Sequence, residues 1–266
     1  MDKNGMDMKT RRAFRLAAIL AIVVCGGCKK ESGQTQAGTP EKAVSKGPVG
    51  LSIAKLSHAK FYEGIRVMTD TLSLSDVLLP GKGPTVYTAT YEQITGSALE
   101  FSESVNRILR LAVVGADESI ISGAEALFER NKGSLDAEYF VPYSETVKSR
   151  LISLSDSFMV FEVAFESYEG GAHPIYGTSA KVLRAGDLKF ECSMKDVFSG
   201  VELGLLTKSL RDSLRRRKDD LEVDVDTVSL PKDFFFDGKS VSFRFPPYSI
   251  GAGALGEVVV SFPWID

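Results

Sequence analysis

The segment FMVFEVAF at positions 158–165, followed by YEGGAHPIYG at positions 168–177, decides how the rest of the chain is organised. Aromatic and β-branched residues dominate the first segment, and they alternate along it, which predicts a β-strand with one face formed by Met159, Phe161, Val163 and Phe165. A strand cannot continue through Gly170-Gly171, and Pro174 restricts the backbone of the residue before it. We therefore expect a sharp turn, followed by a second strand over residues 176–183.

The predicted turn presents His173, for which three interpretations are open. Its ring could cap backbone groups at the turn, which is the role we favour on the sequence. It could act as a general base with Tyr168, Glu169 or Tyr176 near it. The loops beside it could instead supply a contact surface, with Tyr168, Tyr176 and Tyr248 as the aromatic candidates. We expect Gly170 and Gly171 to serve folding, because at least one of them should need a backbone conformation that is costly for a residue with a Cβ.

The flanking sequence predicts an α+β fold, with a mixed or antiparallel sheet and a few amphipathic helices packed on it. Helical spacing of apolar residues occurs over residues 101–112, 119–130 and 201–218, and strand composition over residues 85–90 and 145–152. Near the end, Asp237-Gly238 lies between two alternating segments and predicts a β-hairpin. A glycine-rich loop at 248–256 then leads to a closing strand over 257–262.

These landmarks resemble the C-terminal domain of the lysozyme-sensing anti-sigma factor RsiV. The resemblance rests on YEGGAHP, on CSMKDVF at 192–198, and on the segment FFFDGKSVSFRFPPYSIGAGALGEVVVSF that closes the chain. It covers residues 151–266, and the region from about Lys60 is loosely similar to the one upstream in PdaC-type peptidoglycan deacetylases. Ile175 departs from the pattern, which often has a small polar residue there. The resemblance implies a lysozyme-like protein or cell-wall glycan as the ligand.

The N-terminus has the order of a lipoprotein signal peptide. The basic residues Lys9, Arg11, Arg12 and Arg15 precede the apolar run LAAILAIVV at 16–24, which is too short to span a bilayer, and Gly26-Gly27 precede Cys28. We expect residues 1–27 to be removed, whether synthesis starts at Met1 or Met8, and lipid to be attached at Cys28. Residues 28–50 are poor in large apolar side chains and predict a flexible tether. Residues 51–150 and 151–266 then form an N-terminal α+β region and the RsiV-like domain, packed as one unit.

Charge and residue inventory exclude several function classes. The first 27 residues carry five basic and two acidic side chains, so their removal takes the formal net charge from −3 to −6, which disfavours nucleic acid as a partner. The glycine-rich loop has neither GxGxxG nor a P-loop lysine, so we expect no nucleotide. Two histidines and one cysteine beyond Cys28, the predicted buried Cys192, are too few for a structural zinc site, and we expect no metal or cofactor.

The sequence thus predicts a lipid-anchored binding module of the bacterial cell envelope, periplasmic or surface-exposed and not an enzyme. Its expected partners are the membrane, through the lipid on Cys28, and a lysozyme-like protein or peptidoglycan. The expected site residues are Tyr168, Gly170, Gly171, His173, Tyr176 and Tyr248. Two alternatives are a cell-wall-modifying hydrolase that uses His173 and a purely structural envelope lipoprotein.

Overall fold

The computed structural model of the chain describes residues 54–95, 101–115, 119–135, 140–252 and 255–264. The predicted signal peptide, the lipid-attachment residue Cys28 and the tether at 28–50 lie outside these ranges. Within them, no helix combines the length and the apolar character needed to cross a membrane.

A six-stranded mixed sheet forms the larger layer. Its strands are β1 (Arg66–Asp76), β2 (Thr85–Thr95), β3 (Ser144–Leu154), β4 (Phe158–Tyr168), β5 (Ile175–Arg184) and β6 (Asp187–Glu191). They lie side by side in chain order, and every pair is antiparallel except β2 with β3. The predicted strand–turn–strand segment is the β4–β5 hairpin. The division at 150/151 falls inside β3, so the two predicted regions share one sheet.

A second, antiparallel sheet contains β7 (Phe234–Phe236), β8 (Ser240–Phe245) and β9 (Val258–Pro263), in that order. The Asp237 carboxylate accepts hydrogen bonds from the backbone N–H groups of Lys239 and Ser240, at 2.8 and 2.7 Å, and this closes the β7–β8 turn. The predicted C-terminal hairpin and closing strand are therefore confirmed, and with them the α+β class.

Helices pack against both sheets. They are α1 (Ala54–Ser57), α2 (Ser102–Val114), α3 (Ile121–Lys132), α4 (Met194–Val197) and α5 (Gly200–Arg215), with 3₁₀ turns at Lys218–Asp220 and Val225–Thr227. Helices α2 and α3 lie in the connection between β2 and β3, because parallel neighbours need a crossover. Helix α5 begins at a capping box, in which the Ser199 hydroxyl accepts from the Glu202 N–H and the Glu202 carboxylate accepts from the Ser199 N–H.

The first half of β4 separates two apolar cores. Phe158 and Val160 face a core formed with α5 and the second sheet, while Met159 and Phe161 face a core formed with α2. All four side chains are buried, whereas Val163 and Phe165 are only half-buried. Both faces of this half of β4 are therefore buried, because layers cover the strand on both sides.

Candidate binding surface

The β4–β5 hairpin has the backbone geometry that its glycines predict. Gly170 and Gly171 have φ angles of 85° and 108°, in the left-handed region that residues with a Cβ rarely adopt. A Cβ on Gly171 would meet no atom within 4 Å, so the backbone angle alone calls for glycine there. The expectation that at least one of the two glycines needs such a conformation is confirmed.

Side chains at its base hold the hairpin in place. The Tyr168 hydroxyl donates to the Gly171 carbonyl at 3.2 Å, across the turn. Arg130, on α3, pairs with Glu169 of the hairpin at 3.0 Å and with Glu145 of β3 at 2.6 Å. Exposed ion pairs add little stability, but two partners on one guanidinium fix the direction in which the hairpin leaves the sheet.

His173 lies at the exposed end of this hairpin. In the part of the chain that the structure describes, its ring makes no hydrogen bond and no ion pair. The interpretation of His173 as a cap for backbone groups is therefore wrong: Tyr168 bridges the turn in its place. A general base also needs a partner that orients it, and no described residue holds the His173 ring.

Tyr176 brings the hairpin next to the C-terminal loop that joins β8 to β9. A Cβ on Gly256, the last glycine of that loop, would lie 3.9 Å from the Tyr176 hydroxyl. Tyr248, on the same loop, has a φ of 65°, which is unusual for a residue other than glycine. Tyr248 is 76% exposed, and Ile175 and Tyr176 are 58% and 55% exposed. We name His173, Ile175, Tyr176 and Tyr248 the tip surface.

A shallow groove of about 240 Å³ runs from the tip surface along the sheet, between the outer halves of β3, β4 and β5. Thr146, Lys148 and Glu166 line it together with Tyr176. Gly177 lies at its base, where a Cβ would come within 2.6 Å of the Phe165 ring. The groove therefore offers hydroxyl, ammonium and carboxylate groups beside one aromatic ring.

A buried charge cluster, which the sequence pattern did not predict, lies between β8 and β4. Arg244, on β8, is 4% exposed, although its alternation with Phe243 and Phe245 places it on the opposite side of the strand from those rings. Its Nη2 donates to Glu162 of β4 at 2.8 Å. Its Nε and Nη1 lie 3.0 and 3.6 Å from carboxylate oxygens of Glu257 and Asp233, without hydrogen-bond geometry.

Three carboxylates thus surround one guanidinium between the two sheets. Burial raises the pKa of the Asp233 and Glu257 carboxyls above their ordinary values, although Arg244 opposes this rise. The Asp233 carboxylate also accepts from the Ala180 N–H at 3.0 Å, and the Thr178 side chain interacts with Glu257. Since Ala180 and Thr178 belong to β5, the cluster fixes the C-terminal loop against the strand that carries Tyr176.

Cys192 comes directly after β6 and is buried, and its N–H donates to the Val182 carbonyl at 2.7 Å. Burial raises the pKa of its thiol, which disfavours the reactive thiolate.

Within the described ranges, no group of three or more histidine, cysteine or acidic side chains is arranged to hold a metal ion. The hairpin brings together Tyr168, Gly170, Gly171, His173 and Tyr176, with Tyr168 half-buried beneath the exposed residues.

Comparison with known proteins gives a domain of unknown function and a shared fold. Residues 195–265 match the model of DUF3298, described as a protein family of unknown function. A DUF3298-family structure from Bacteroides fragilis is similar over 75% of this chain and 91% of its own, at 16% identity and a TM-score of 0.57. One from Pseudomonas aeruginosa is similar over 75% and 90%, at 14% identity and a TM-score of 0.51. A search of curated proteins found no matching sequence.

Proposed function

We propose that the protein is a non-catalytic binding module of the bacterial envelope, anchored by lipid at Cys28, that captures a basic, lysozyme-like protein through the tip surface. The observation that carries this proposal is the meeting of the β4–β5 hairpin and the C-terminal loop, which together expose Ile175, Tyr176 and Tyr248. The resemblance of these two segments to the RsiV domain supports the choice of ligand.

The chemistry of the tip surface favours a protein as the ligand. Tyrosine offers a large apolar area with a polar end and few side-chain torsions to immobilise, and such residues often dominate the energy of protein interfaces. Ile175 adds an aliphatic side chain, which suits an apolar pocket of a partner better than a hydroxyl-rich glycan. Arg130 and the Arg244 cluster hold the two segments before any ligand arrives, so less conformational entropy is lost on binding.

Charge supports the same choice. After removal of residues 1–27 the chain carries a formal net charge of −6, and lysozymes of the common type are strongly basic. Opposite net charges accelerate association and make it sensitive to salt. We therefore expect the association rate to fall as ionic strength rises, while the dissociation rate depends on the tyrosines.

Binding of a basic lysozyme to the immobilised protein tests the proposal. Replacing Tyr176 or Tyr248 with Ala should weaken binding by about tenfold or more, as expected for a central interface residue. Val201→Ala is the matched control, because Val201 on α5 is 77% exposed and lies outside the tip surface. Unchanged affinity in both tyrosine variants, with thermal melting intact, would refute the assignment of the tip surface.

Two further measurements separate the alternatives. Retention of the protein by purified peptidoglycan, without binding to lysozyme, would favour a glycan ligand at the groove beside Tyr176. Release of soluble fragments from peptidoglycan, lost in His173→Gln, would favour the hydrolase. The anchor is tested separately by Cys28→Ser, which should move the protein from the membrane fraction to the soluble fraction.

A further inference from the structure

Strand β1 is a long sheet edge whose only charged residues are Arg66, Asp70 and Asp76. All eleven of its residues pair with β2 on one side, and no strand of the described chain pairs with its other side. Edge strands are commonly protected by charged side chains, above all lysine, and by proline, a bulge or short length. Strand β1 (RVMTDTLSLSD) has no lysine or proline and no register shift, whereas the opposite edge, β6, has only five residues and includes Lys189.

We propose that β1 pairs with β1 of a second copy of this chain, antiparallel, about a two-fold axis that passes through Thr71. This register is the one that pairs all eleven residues of Arg66–Asp76 with their counterparts. It places Arg66 of each copy directly opposite Asp76 of the other. Both side chains are exposed in the single chain, so two Arg–Asp pairs form at the two ends of the new ladder.

The face of β1 and β2 that lies on the side opposite α2 and α3 already contains hydroxyl pairs of the kind that this dimer would form. Between β1 and β2, the hydroxyls of Thr71 and Thr90 lie 3.3 Å apart, as do those of Ser73 and Thr88. In the dimer, Thr71 would lie opposite its own copy and Thr69 opposite Ser73. Hydroxyl pairs of this kind stabilise neighbouring antiparallel strands.

The helix-covered face is compatible with the same register. There Met68 would lie opposite Leu74, which packs against the apolar cluster beneath α2 and α3. Met68 is 54% exposed in the single chain, so pairing would remove apolar area from water. The same register sets Asp70, the one other charge on this strand, opposite Leu72, and the Asp70 carboxylate keeps the hydrogen bonds that it accepts from Tyr91 and Gln93.

Sedimentation equilibrium of the full chain carrying Cys28→Ser, which removes the predicted lipid, tests the dimer. We expect a concentration-dependent dimer. Arg66→Asp or Asp76→Arg alone should weaken it by about tenfold or more, because two attractive pairs become two repulsive pairs. The double variant should restore it. Lys189→Asp, a charge reversal on the opposite edge, is the control that should leave it unchanged.

Three results would overturn the proposal: a monomer at every concentration, a dimer that both single variants leave intact, or a double variant as weak as the single ones. Thermal melting identifies any variant that is not folded. Thr71→Lys gives a second disruption, since it sets two ammonium groups against each other at the axis. The tyrosine variants of the tip surface should dimerise normally, so failure of the lysozyme test and failure of this one are distinguishable.

Discussion

Replacing Arg244 with Met tests whether the buried cluster holds the two sheets together. The substitution keeps an apolar stem beside the Phe235 ring, over which the guanidinium lies 4.9 Å from the centroid, but leaves Glu162, Asp233 and Glu257 without the cation between them. The Arg244 side chain is 5% exposed and the three carboxylates are 14–21% exposed, so water screens the cluster poorly. Breaking such a buried pair costs about 3–5 kcal/mol, which lowers the melting temperature by roughly 10 °C in a domain of this size.

The matched control is Arg150→Met. Arg150 pairs with the same Glu162 carboxylate at 2.7 Å, but its side chain is 61% exposed. An exposed partner contributes about 1 kcal/mol or less. Urea unfolding followed by the fluorescence of Trp264, the chain's single tryptophan, which is buried against Phe61 and Phe236, measures both variants.

The stability lost in Arg244→Met should depend on pH. Because burial raises the pKa of Asp233 and Glu257, the folded chain holds these protons more tightly than the unfolded chain does. Their contribution to stability is therefore favourable at low pH and is lost as pH rises from the ordinary carboxyl pKa of about 4 through the raised values. Without Arg244 the pKa values rise further, so the loss of stability in Arg244→Met should be larger at pH about 8 than at pH about 5. A loss below about 1 kcal/mol, or one that does not shrink in acid, would refute the role given to the cluster.

Three further predictions concern the hairpin. Gly171→Ala should lower the free energy of unfolding by about 1–2 kcal/mol in urea titrations. The control Gly186→Ala, at an open position without positive φ, should change it by less than about 0.5 kcal/mol. Equal effects would contradict the argument from the positive φ of Gly171. Gly177→Ala should cost about 1–3 kcal/mol because its Cβ would overlap the Phe165 ring, and Phe165→Leu in the same chain should recover part of that loss. His173→Gln should change the free energy of unfolding by less than about 0.5 kcal/mol, since the ring is exposed. A clear loss of stability in this variant would show that His173 has a structural role.

The features that the sequence predicted correctly depend on local chemistry. The Asp237-Gly238 turn closes a hairpin because the carboxylate reaches backbone groups two and three residues ahead. Leu206, Leu210 and Leu214 are buried on one side of α5, as their spacing indicates. Gly170-Gly171 interrupts a strand because of intrinsic backbone preference, which does not depend on the rest of the fold.

The features that it missed depend on partners distant in the chain. Alternation along β8 places Ser242 and Arg244 on the face opposite Phe243 and therefore predicts that they are exposed. Both are buried, and Arg244 contacts Glu162 of β4, which the alternation does not reveal. Glu162, which the sequence places within an apolar strand, is the local sign of a buried cation, although nothing local identifies Arg244 as that cation. The same limit applies to His173, whose expected role across the turn is taken by Tyr168.

The parallel pairing of β2 with β3 should make these two strands meet late in folding. Strands β3, β4 and β5 follow one another through short turns, so their contacts close small loops, whereas β2 meets β3 only after the chain has passed through α2 and α3. Long loops are closed at a greater entropic cost and slow the folding of the contacts that need them. We expect the β3–β5 meander to form early and the docking of β1 and β2 to limit the rate. During that interval the edge of β3 is open to other chains.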